Sequence, residues 1–436
     1  MSTYHYRPAD LLRDHARPRH APAPTTAALD ARLTEIVRPA TYAVLEQYHQ
    51  LGLRARVLTL PVMVSLLVTL VWRQVASVRG LARLLAREHL LWTPPLTISQ
   101  QALNSRLRTL PPSLFQQVVH AILPELAARA AARTRPQPTV VSRIQTGFPQ
   151  IWAVDATTLE ALFKKVGLLQ GIPQTVLGGT LLGILNVATK LPVHLAWDEN
   201  PAANDRRLLA TLQEQLPRGV LLLLDNGFFS FPFFDWCTEH GIWFIIPDRP
   251  NTALRAATTL RTTGPLREER IELGRHHSNP CRHPVRRITL QVGDKQYRYL
   301  TNVLEPERLA APDVVELYRL RWRIEEAFLV TKRLLGLSYL WTGAANGIQL
   351  QIWTTWLLYA ILVDLSDAVA DELTLPLDRI SLEMVFRSLS FVVGAISRGE
   401  ATDPVAYLAH PAQRDLGLIK RPRAPTALDS ALQGLT

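Results

Sequence analysis

The sequence predicts a mixed α/β fold, in which an all-helical N-terminal region precedes a core with a mixed sheet. Two observations carry this prediction. Residues 26–132 repeat apolar side chains every three or four positions, as in Leu81, Leu84 and Leu85, which is the period of an amphipathic helix. After residue 148 short apolar runs alternate with helical stretches, in the order three strands, helix, strand, helix, strand.

The composition excludes several classes of protein. The chain has 436 residues, of which 47% are hydrophobic and 19% are charged, so it is neither disordered nor fibrous. Two cysteines cannot build a disulfide framework, which favours a reducing compartment. The formal net charge of +11 favours a polyanionic partner, and nucleic acid is the commonest of these.

The apolar segments do not predict a membrane protein. Residues 1–25 are rich in Arg, His and Pro, which argues against a secretory signal and predicts a flexible basic arm. The apolar runs 58–72 and 348–363 are shorter than the roughly 20 residues of a spanning helix and contain polar residues. We therefore expect both runs to be buried core helices.

The N-terminal region is predicted to be a helical DNA-binding domain at 26–132, followed by a linker at 133–148. Two amphipathic segments, 77–87 and 97–108, flank a proline-bearing turn. They suit a helix-turn-helix that presents Arg106 and Arg108, and they suit an ordinary helical hairpin equally well.

A core in two parts, 149–248 and 312–400, is predicted to carry the catalytic residues. The run of Val and Leu at 220–224 is typical of a strand buried on both faces. The predicted core strands are 151–154, 178–188, 191–197, 220–224 and 243–246, and the predicted core helices are 204–216 and 231–240.

A β-rich insertion, 249–311, separates the two parts of the core. Its Arg- and Thr-rich loops precede a predicted hairpin of strands 287–292 and 296–304. A long helix follows from Pro312 to Leu335, since proline is favoured in the first turn of a helix. Residues 401–436 are predicted to be a loosely ordered C-terminal tail.

Three carboxylates stand where α/β folds place their sites. Asp155 and Asp225 each follow a predicted core strand, and Glu325 lies on the long helix. A single aspartate of this kind is ordinarily a strand end or a helix cap. Carboxylates that converge repel one another unless a cation joins them, so the set of three favours a Mg²⁺ site for phosphoryl transfer.

Four residues of the long helix are predicted to share one face, within about 60° of each other over four turns. They are Tyr318, Arg321, Glu325 and Lys332. Arg321 and Lys332 on this face would meet phosphates, and Tyr318 could bond a backbone oxygen. The alternative is an i,i+4 ion pair of Arg321 with Glu325 on a solvated face.

These residues resemble the signature of DDE transposases of the IS4 group, which bacterial insertion sequences encode. The spacing Tyr-x2-Arg-x3-Glu-x6-Lys at 318–332 is similar to the Y-R-E-K signature of that family. Asp-Ala-Thr at 155–157 resembles its D-x-T element, and Asp-Asn-Gly-Phe at 225–228 its D-x-G-F element. The β-rich insertion is a further shared feature, and the resemblance covers roughly residues 150–366.

The resemblance implies an RNase H-like catalytic core and cut-and-paste transposition of double-stranded DNA at terminal inverted repeats. It implies a metal-binding triad for Mg²⁺, with Mn²⁺ as a substitute, and a set of residues that contact the DNA end. The triad is Asp155, Asp225 and Glu325, and the DNA contacts are Tyr318, Arg321 and Lys332. Trp322 either stacks on a displaced base or belongs to the core. We further expect a homodimer on paired transposon ends, at the nucleoid in bacterial cytoplasm.

Two other functions fit the same residues. One is a catalytically inactive or domesticated transposase that only binds DNA, and the other is an RNase H-like nuclease that cuts without strand transfer. The sequence contains no P-loop motif, so no nucleotide cofactor is expected. One further cluster has metal-ligand chemistry, but it lacks a second half, so a basic solvated loop is favoured over a zinc site. It consists of His276, His277, Cys281 and His283.

Overall fold

The chain is built around a nine-stranded sheet in the residues that the structure describes. A computed structural model describes residues 27–53, 56–159, 179–200, 205–274, 280–337 and 340–435. The strands are β1 (Ile151–Thr158), β2 (Thr180–Asn186), β3 (Pro192–Asp198), β4 (Leu221–Leu224), β5 (Trp243–Pro247), β6 (Leu254–Thr263), β7 (Leu266–Leu273), β8 (Val285–Val292) and β9 (Lys295–Thr301). The predicted arm at 1–25 and the residues His276 and His277 lie outside the described residues.

Helices cover the sheet and form the N-terminal region. Before the sheet they are α1 (Ala27–Ala43), α2 (Leu45–Gln50), α3 (Leu60–Trp72), α4 (Val78–Leu85), α5 (Gln100–Thr109), α6 (Pro112–Ala132) and α7 (Thr139–Ile144). Within and after the sheet they are α8 (Asp205–Gln213), α9 (Phe231–Glu239), α10 (Ala311–Leu320), α11 (Trp322–Leu329), α12 (Ala345–Glu372), α13 (Leu382–Ser397), α14 (Pro404–Ala409) and α15 (Ala427–Gln433).

The sheet is mixed, as the sequence predicts. Its strands lie in the order β3-β2-β1-β4-β5-β9-β8-β7-β6. β4 runs parallel to both of its neighbours, β1 and β5, and the other neighbouring strands are antiparallel. Each predicted core strand and core helix is present with bounds shifted by a few residues.

Both faces of the central strand β4 are buried. Leu221 and Leu223 pack into a core shared with the N-terminal and C-terminal helices, whereas Leu222 and Leu224 pack into the core that contains α8 and α9. Side chains alternate between the two faces of a strand, so an uninterrupted apolar run fits a strand between two helical layers. The prediction for 220–224 is confirmed.

The two long apolar runs form core helices, as predicted. The side chains of α3 are almost all buried. Among the described residues α12 alone is long and apolar enough to cross a membrane, and 94% of its apolar window is buried inside the fold. α12 packs against α3, α5 and α6, so the N-terminal helices and the sheet share one continuous apolar core.

Of the two interpretations of the segments 77–87 and 97–108, the structure supports the helical hairpin. α4 and α5 are joined by residues 86–99, far more than the three or four residues of a helix-turn-helix turn. Arg106 donates from Nε to the Leu58 carbonyl at 3.0 Å and from Nη2 to the Tyr48 hydroxyl. Arg106 therefore ties α5 to α2 and to the residues before α3 instead of pointing to a ligand.

The predicted linker at 133–148 is anchored to α12. Arg133 bonds the carboxylates of Asp364 and Asp367 at 2.6 and 2.7 Å, and Arg135 also pairs with Asp367. α7 lies within this segment and is buried along one side. The segment predicted as a linker is therefore a fixed connection. The sequence did not show this, because ion pairs between residues more than 200 positions apart leave no periodic signal.

The Arg- and Thr-rich segment predicted as loops forms β6 and β7. These strands pair with each other, and β7 pairs with β8, so the insertion extends the core sheet through the pairing of β5 with β9. β6 is the edge strand, and its residues after Leu254 are exposed. An exposed strand has no alternation of buried and polar residues, which is why the pattern did not predict it.

The C-terminal tail is also ordered, contrary to expectation. Leu408, Leu418, Leu428 and Leu432 are buried against the core. α15 begins with a capping box in which Thr426 and Asp429 bond each other's backbone N–H groups. Arg319 of α10 pairs with Asp429, which fixes α15 beside α10.

The predicted helix from Pro312 to Leu335 forms in three pieces. α10 ends at Leu320, a single turn at Arg321 joins it to α11, and residues 330–334 form a π-helical turn. Around Arg321 the backbone bonds span three residues, from Arg321 to Tyr318 and from Ile324 to Arg321, both at 3.1 Å. Gly336 ends the segment with φ of +78°, as the sequence predicts.

Gly183 sets how closely α11 approaches the sheet. It lies on β2 opposite Asp155 of β1. A Cβ atom at this position would lie 3.0 Å from Cζ of Phe328 and 3.3 Å from Cδ1 of Ile324, both on α11. Glycine in a strand interior often marks such a close approach. Here it brings the face of α11 that carries Glu325 against β1.

We expect Gly183→Ala to push α11 away from β1 and to lower the free energy of unfolding by about 1–3 kcal/mol, the usual cost of overpacking. Urea denaturation checks this. Gly147→Ala is the matched control, because its Cβ would lie 3.7 Å from the nearest atom, the Ile144 carbonyl oxygen. Equal stability of the two variants would contradict the role given to Gly183.

Candidate active site

Two of the three predicted carboxylates meet at the carboxyl ends of two neighbouring inner strands, which form one edge of the sheet. β1 and β4 are parallel neighbours, with Val154 opposite Leu224. Asp155 follows Val154 and Asp225 follows Leu224, so their side chains emerge side by side. β1 continues past Asp155 to Thr158, because its far edge stays paired with β2. The predicted adjacency of the two strands is confirmed.

Glu325 reaches the same edge from α11, which packs on β1 and β2. One guanidinium joins all three carboxylates. Arg321 donates from Nη1 to Asp155 Oδ2 at 3.1 Å and from Nη2 to Glu325 Oε1 at 2.6 Å. The same Nη2 lies 3.7 Å from Asp225 Oδ1. Arg321 therefore forms an ion pair with Glu325, and also with both strand aspartates.

Burial and mutual repulsion raise the affinity of this cluster for positive charge. Burial, with smaller contributions from the neighbouring charges of Asp225 and Glu325, raises the pKa of Asp155 to about 6 against the attraction of Arg321. Burial alone would lower the pKa of Arg321, but Tyr318 and the carboxylates outweigh it, so that pKa is raised. The cluster holds its guanidinium in the charged form.

The donor set suits a hard divalent cation. Among the described residues no three His, Cys, Asp or Glu side chains are close enough to share a metal ion, and the three carboxylates contact Arg321. Carboxylate oxygens are nevertheless the preferred ligands of Mg²⁺. The Asp225 side chain is 41% exposed, which leaves an open path to the cluster from solvent. These residues fit such a metal once Arg321 withdraws.

The other two helix residues lie near the carboxylates, and Lys332 faces β1. Lys332 donates from Nζ to the Thr157 hydroxyl and to the Thr158 carbonyl, the latter at 2.7 Å, and its burial lowers its pKa. The Tyr318 ring lies 5.7 Å from the guanidinium carbon of Arg321. Lys332 and Tyr318 therefore flank the carboxylate cluster from two sides.

Trp322 points into solvent. Its side chain is 59% exposed, although it is adjacent to Arg321 in the chain. The interpretation of Trp322 as a core residue is therefore wrong. An exposed indole next to the cluster is free to stack on a ligand ring.

Two anchors of the site gave no signal in the sequence. Arg249 donates to the Asn226 carbonyl and lies 4.6 Å from the Phe229 ring centroid, which fixes the loop after Asp225. Arg323 of α11 donates to the Val187 carbonyl and pairs with Asp378. Each contact joins segments that are distant in the chain, so neither residue stands out by its spacing.

The described part of the His and Cys cluster forms a hydrogen-bonded loop. Asp235 accepts bonds from the backbone N–H groups of Arg282 and His283 at about 3.0 Å, and Cys281 Sγ lies 3.3 Å from the same carboxylate. His283 contacts Glu239 at 3.1 Å. Cys281 and Cys237 are both buried free thiols, and burial raises the pKa of Cys281 to about 12.

The mixed sheet thus brings two carboxylates to the ends of parallel strands, and a third comes from a helix that packs on β1. Residues 146–361, just under half of the chain, match the family described as Transposase DDE domain. The matched residues contain β1 to β9, α10 and α11, and with them every predicted site residue. The match supports a DDE transposase, an enzyme that cleaves and transfers DNA. No curated protein matches the chain.

We expect Asp155→Asn to stabilise the protein in a chelating buffer at pH 7, by up to about 3 kcal/mol. The pKa of Asp155 is raised from 3.8 to about 6 on folding, so its ionised form opposes folding. The cost develops as pH rises from about 4 to about 6 and stays constant above that range. Urea unfolding at pH 4 and pH 7 measures this cost. The control is Glu383→Gln, which changes an exposed carboxylate that pairs with Arg387.

The difference between Asp155→Asn and wild type should shrink to about 0.5 kcal/mol at pH 4, close to the ordinary pKa of 3.8, where the folded state holds Asp155 protonated and the unfolded state is about half ionised. A variant that is less stable than wild type at pH 7 would mean that the attraction of Arg321 exceeds the cost of burial.

Proposed function

We propose that the protein is a DDE transposase of the IS4 group with an RNase H-like core, which excises and inserts a DNA element at its terminal inverted repeats. One observation carries the proposal. Asp155, Asp225 and Glu325 surround the guanidinium of Arg321. All four residues lie within the stretch that matches the transposase family.

In this proposal the three carboxylates hold Mg²⁺ or Mn²⁺. When bound, the divalent ions would activate the attacking oxygen and stabilise the leaving oxygen of an in-line displacement. Asp155 is the most buried of the three side chains and anchors the site, while Glu325 and the more exposed Asp225 close it on the solvent side. The same triad would serve both DNA cleavage and strand transfer.

Arg321 would exchange partners when DNA and metal bind. With a divalent metal bound, Asp155, Asp225 and Glu325 would be neutralised and would no longer attract the guanidinium. The freed side chain would then bind a DNA phosphate a few ångströms away, where its planar fork matches the phosphate oxygens. Lys332 and Tyr318, on either side of the triad, would hold neighbouring phosphates, and Trp322 would stack on a displaced base.

The net charge of +11 and these cationic side chains support double-stranded DNA as substrate, both as transposon ends and as target. We propose a homodimer in which each subunit serves one of two paired ends, acting at the bacterial nucleoid. No membrane or nucleotide cofactor is required for this reaction.

Asp155→Asn and Glu325→Gln should lower excision by about 1000-fold or more, since each removes several kcal/mol of charge stabilisation in the transition state. The measurement is excision and insertion of a mini-element on a plasmid, bounded by the DNA ends that flank the gene. Binding of end duplexes should persist. Glu383→Gln, an exposed carboxylate on α13, should excise at the wild-type rate.

Excision at the wild-type rate by either triad variant would refute the catalytic assignment. Wild-type protein that cuts without inserting would indicate an RNase H-like nuclease. Wild-type protein that binds ends without cutting would indicate an inactive transposase.

Trp322→Ala should lower excision by about 10–100-fold, because base stacking is worth about 1–3 kcal/mol. Its stability should change by less than about 0.5 kcal/mol, since the side chain is largely in solvent. Phe391→Ala is the matched control, since this side chain is 57% exposed on α13, and it should change neither quantity. Wild-type excision by Trp322→Ala would remove Trp322 from the DNA contacts.

A further inference from the structure

A groove of about 540 Å³ lies between the β8–β9 hairpin, α10 and residues 423–428. We name it the C-terminal groove. Its volume is that of sites that hold small molecules or single nucleotides. The residues that line it with polar groups are Asp294, Lys295, Tyr297, Arg319, Arg423 and Thr426.

Two cationic side chains of the groove make no ion pair with the described residues. Lys295 and Arg423 are exposed, and within the described residues neither forms an ion pair. Arg319 differs from them, because it pairs with Asp429 and so holds α15 in place. Asp294 at the hairpin turn is the one acidic residue among those that line the groove. The free charge therefore favours an anionic ligand.

A row of tyrosines connects the groove to the active site. Lys295, Tyr297 and Tyr299 alternate along β9, so they lie on one face of the sheet. The Tyr299 ring lies 5.0 Å from the Tyr318 ring, which contacts Arg321. Lys295 is four residues from Tyr299, or about 13 Å along the strand. The groove thus lies within about 25 Å of Arg321 by this path.

We propose that the C-terminal groove binds the sugar-phosphate backbone of the DNA end through Lys295 and Arg423. At 3.4 Å per base step the contact falls about four to seven nucleotides from the scissile phosphate. The inference rests on the proposed function, because it extends the same DNA beyond the triad. Nothing about the triad itself requires this groove, so the two can be tested apart.

The C-terminal segment is built to present Arg423. Asp429 Oδ2 accepts a bond from the Thr426 backbone N–H at 2.6 Å, and Arg319 pairs with the other oxygen of Asp429. Leu428 and Leu432 bury the inner side of α15. These contacts fix the segment that carries Arg423 at the mouth of the groove, opposite Lys295. Arg319 is therefore a positioning residue, and Lys295 and Arg423 are the residues to test.

The test compares two double variants of the full chain that lose the same charge. Lys295→Gln with Arg423→Gln removes the groove cations, and Arg387→Gln with Arg398→Gln removes two exposed cations paired on α13 and at its end. Fluorescence anisotropy in EDTA measures the affinity for a labelled end duplex over a series of KCl concentrations. We expect the groove variant to bind about 10–100-fold more weakly at low salt, with a log–log salt slope shallower by about 1.8.

The control variant should keep the wild-type slope. A duplex trimmed to two base pairs beyond the cleavage site should bind wild type and the groove variant alike, because it does not reach the groove. The groove proposal is overturned if the groove variant keeps the wild-type salt slope on the long duplex, or if it loses as much affinity for the trimmed duplex as for the long one. If the wild-type protein excises the element, the transposase function stands in either case. A shallower slope in a protein that never excises supports the groove and overturns the transposase function. Wild-type protein that does not bind the duplex overturns both.

Discussion

The placement of the Arg321 guanidinium among three carboxylates is the interaction on which the site depends. Two strands and a helix each deliver a negative charge to one point, and without a cation this arrangement would push the elements apart. Arg321 comes from the same helical segment as Glu325, so the chain supplies its own counter-ion. Gly183 lets that segment lie against β1, and Arg323 anchors it to Val187 and Asp378.

The positive charge of Arg321 only partly offsets the three carboxylates, which leaves the site able to bind a further cation. The raised pKa of Asp155 means that one guanidinium does not fully offset three carboxylates and the cost of burying them. A site with remaining affinity for positive charge is prepared to accept a stronger cation. In the proposed function the same arginine that stabilises the metal-free protein becomes a ligand of the substrate.

The sequence predicted those features that local periodicity records. The apolar run at 220–224 and the spacing of Tyr318, Arg321, Glu325 and Lys332 were sufficient to place the central strand and one face of the helix. It did not predict β6, whose exposed residues have no core side, nor the anchored segment at 133–148, whose partners on α12 are more than 200 residues away. Trp322 could not be placed either, because an indole beside a buried arginine fits a core and a ligand surface equally well.

The packing of the N-terminal helices on α12 limits which parts of these helices can be substituted. α12 is enclosed by α3, α5 and α6 on one side and by the sheet and its helices on the other. Removing the N-terminal helices together with residues 133–135 would expose apolar surface of α12 and leave Asp364 and Asp367 without Arg133 and Arg135. Substitutions that preserve stability are therefore expected on the outer surfaces of these helices, while their inner faces stay packed against α12.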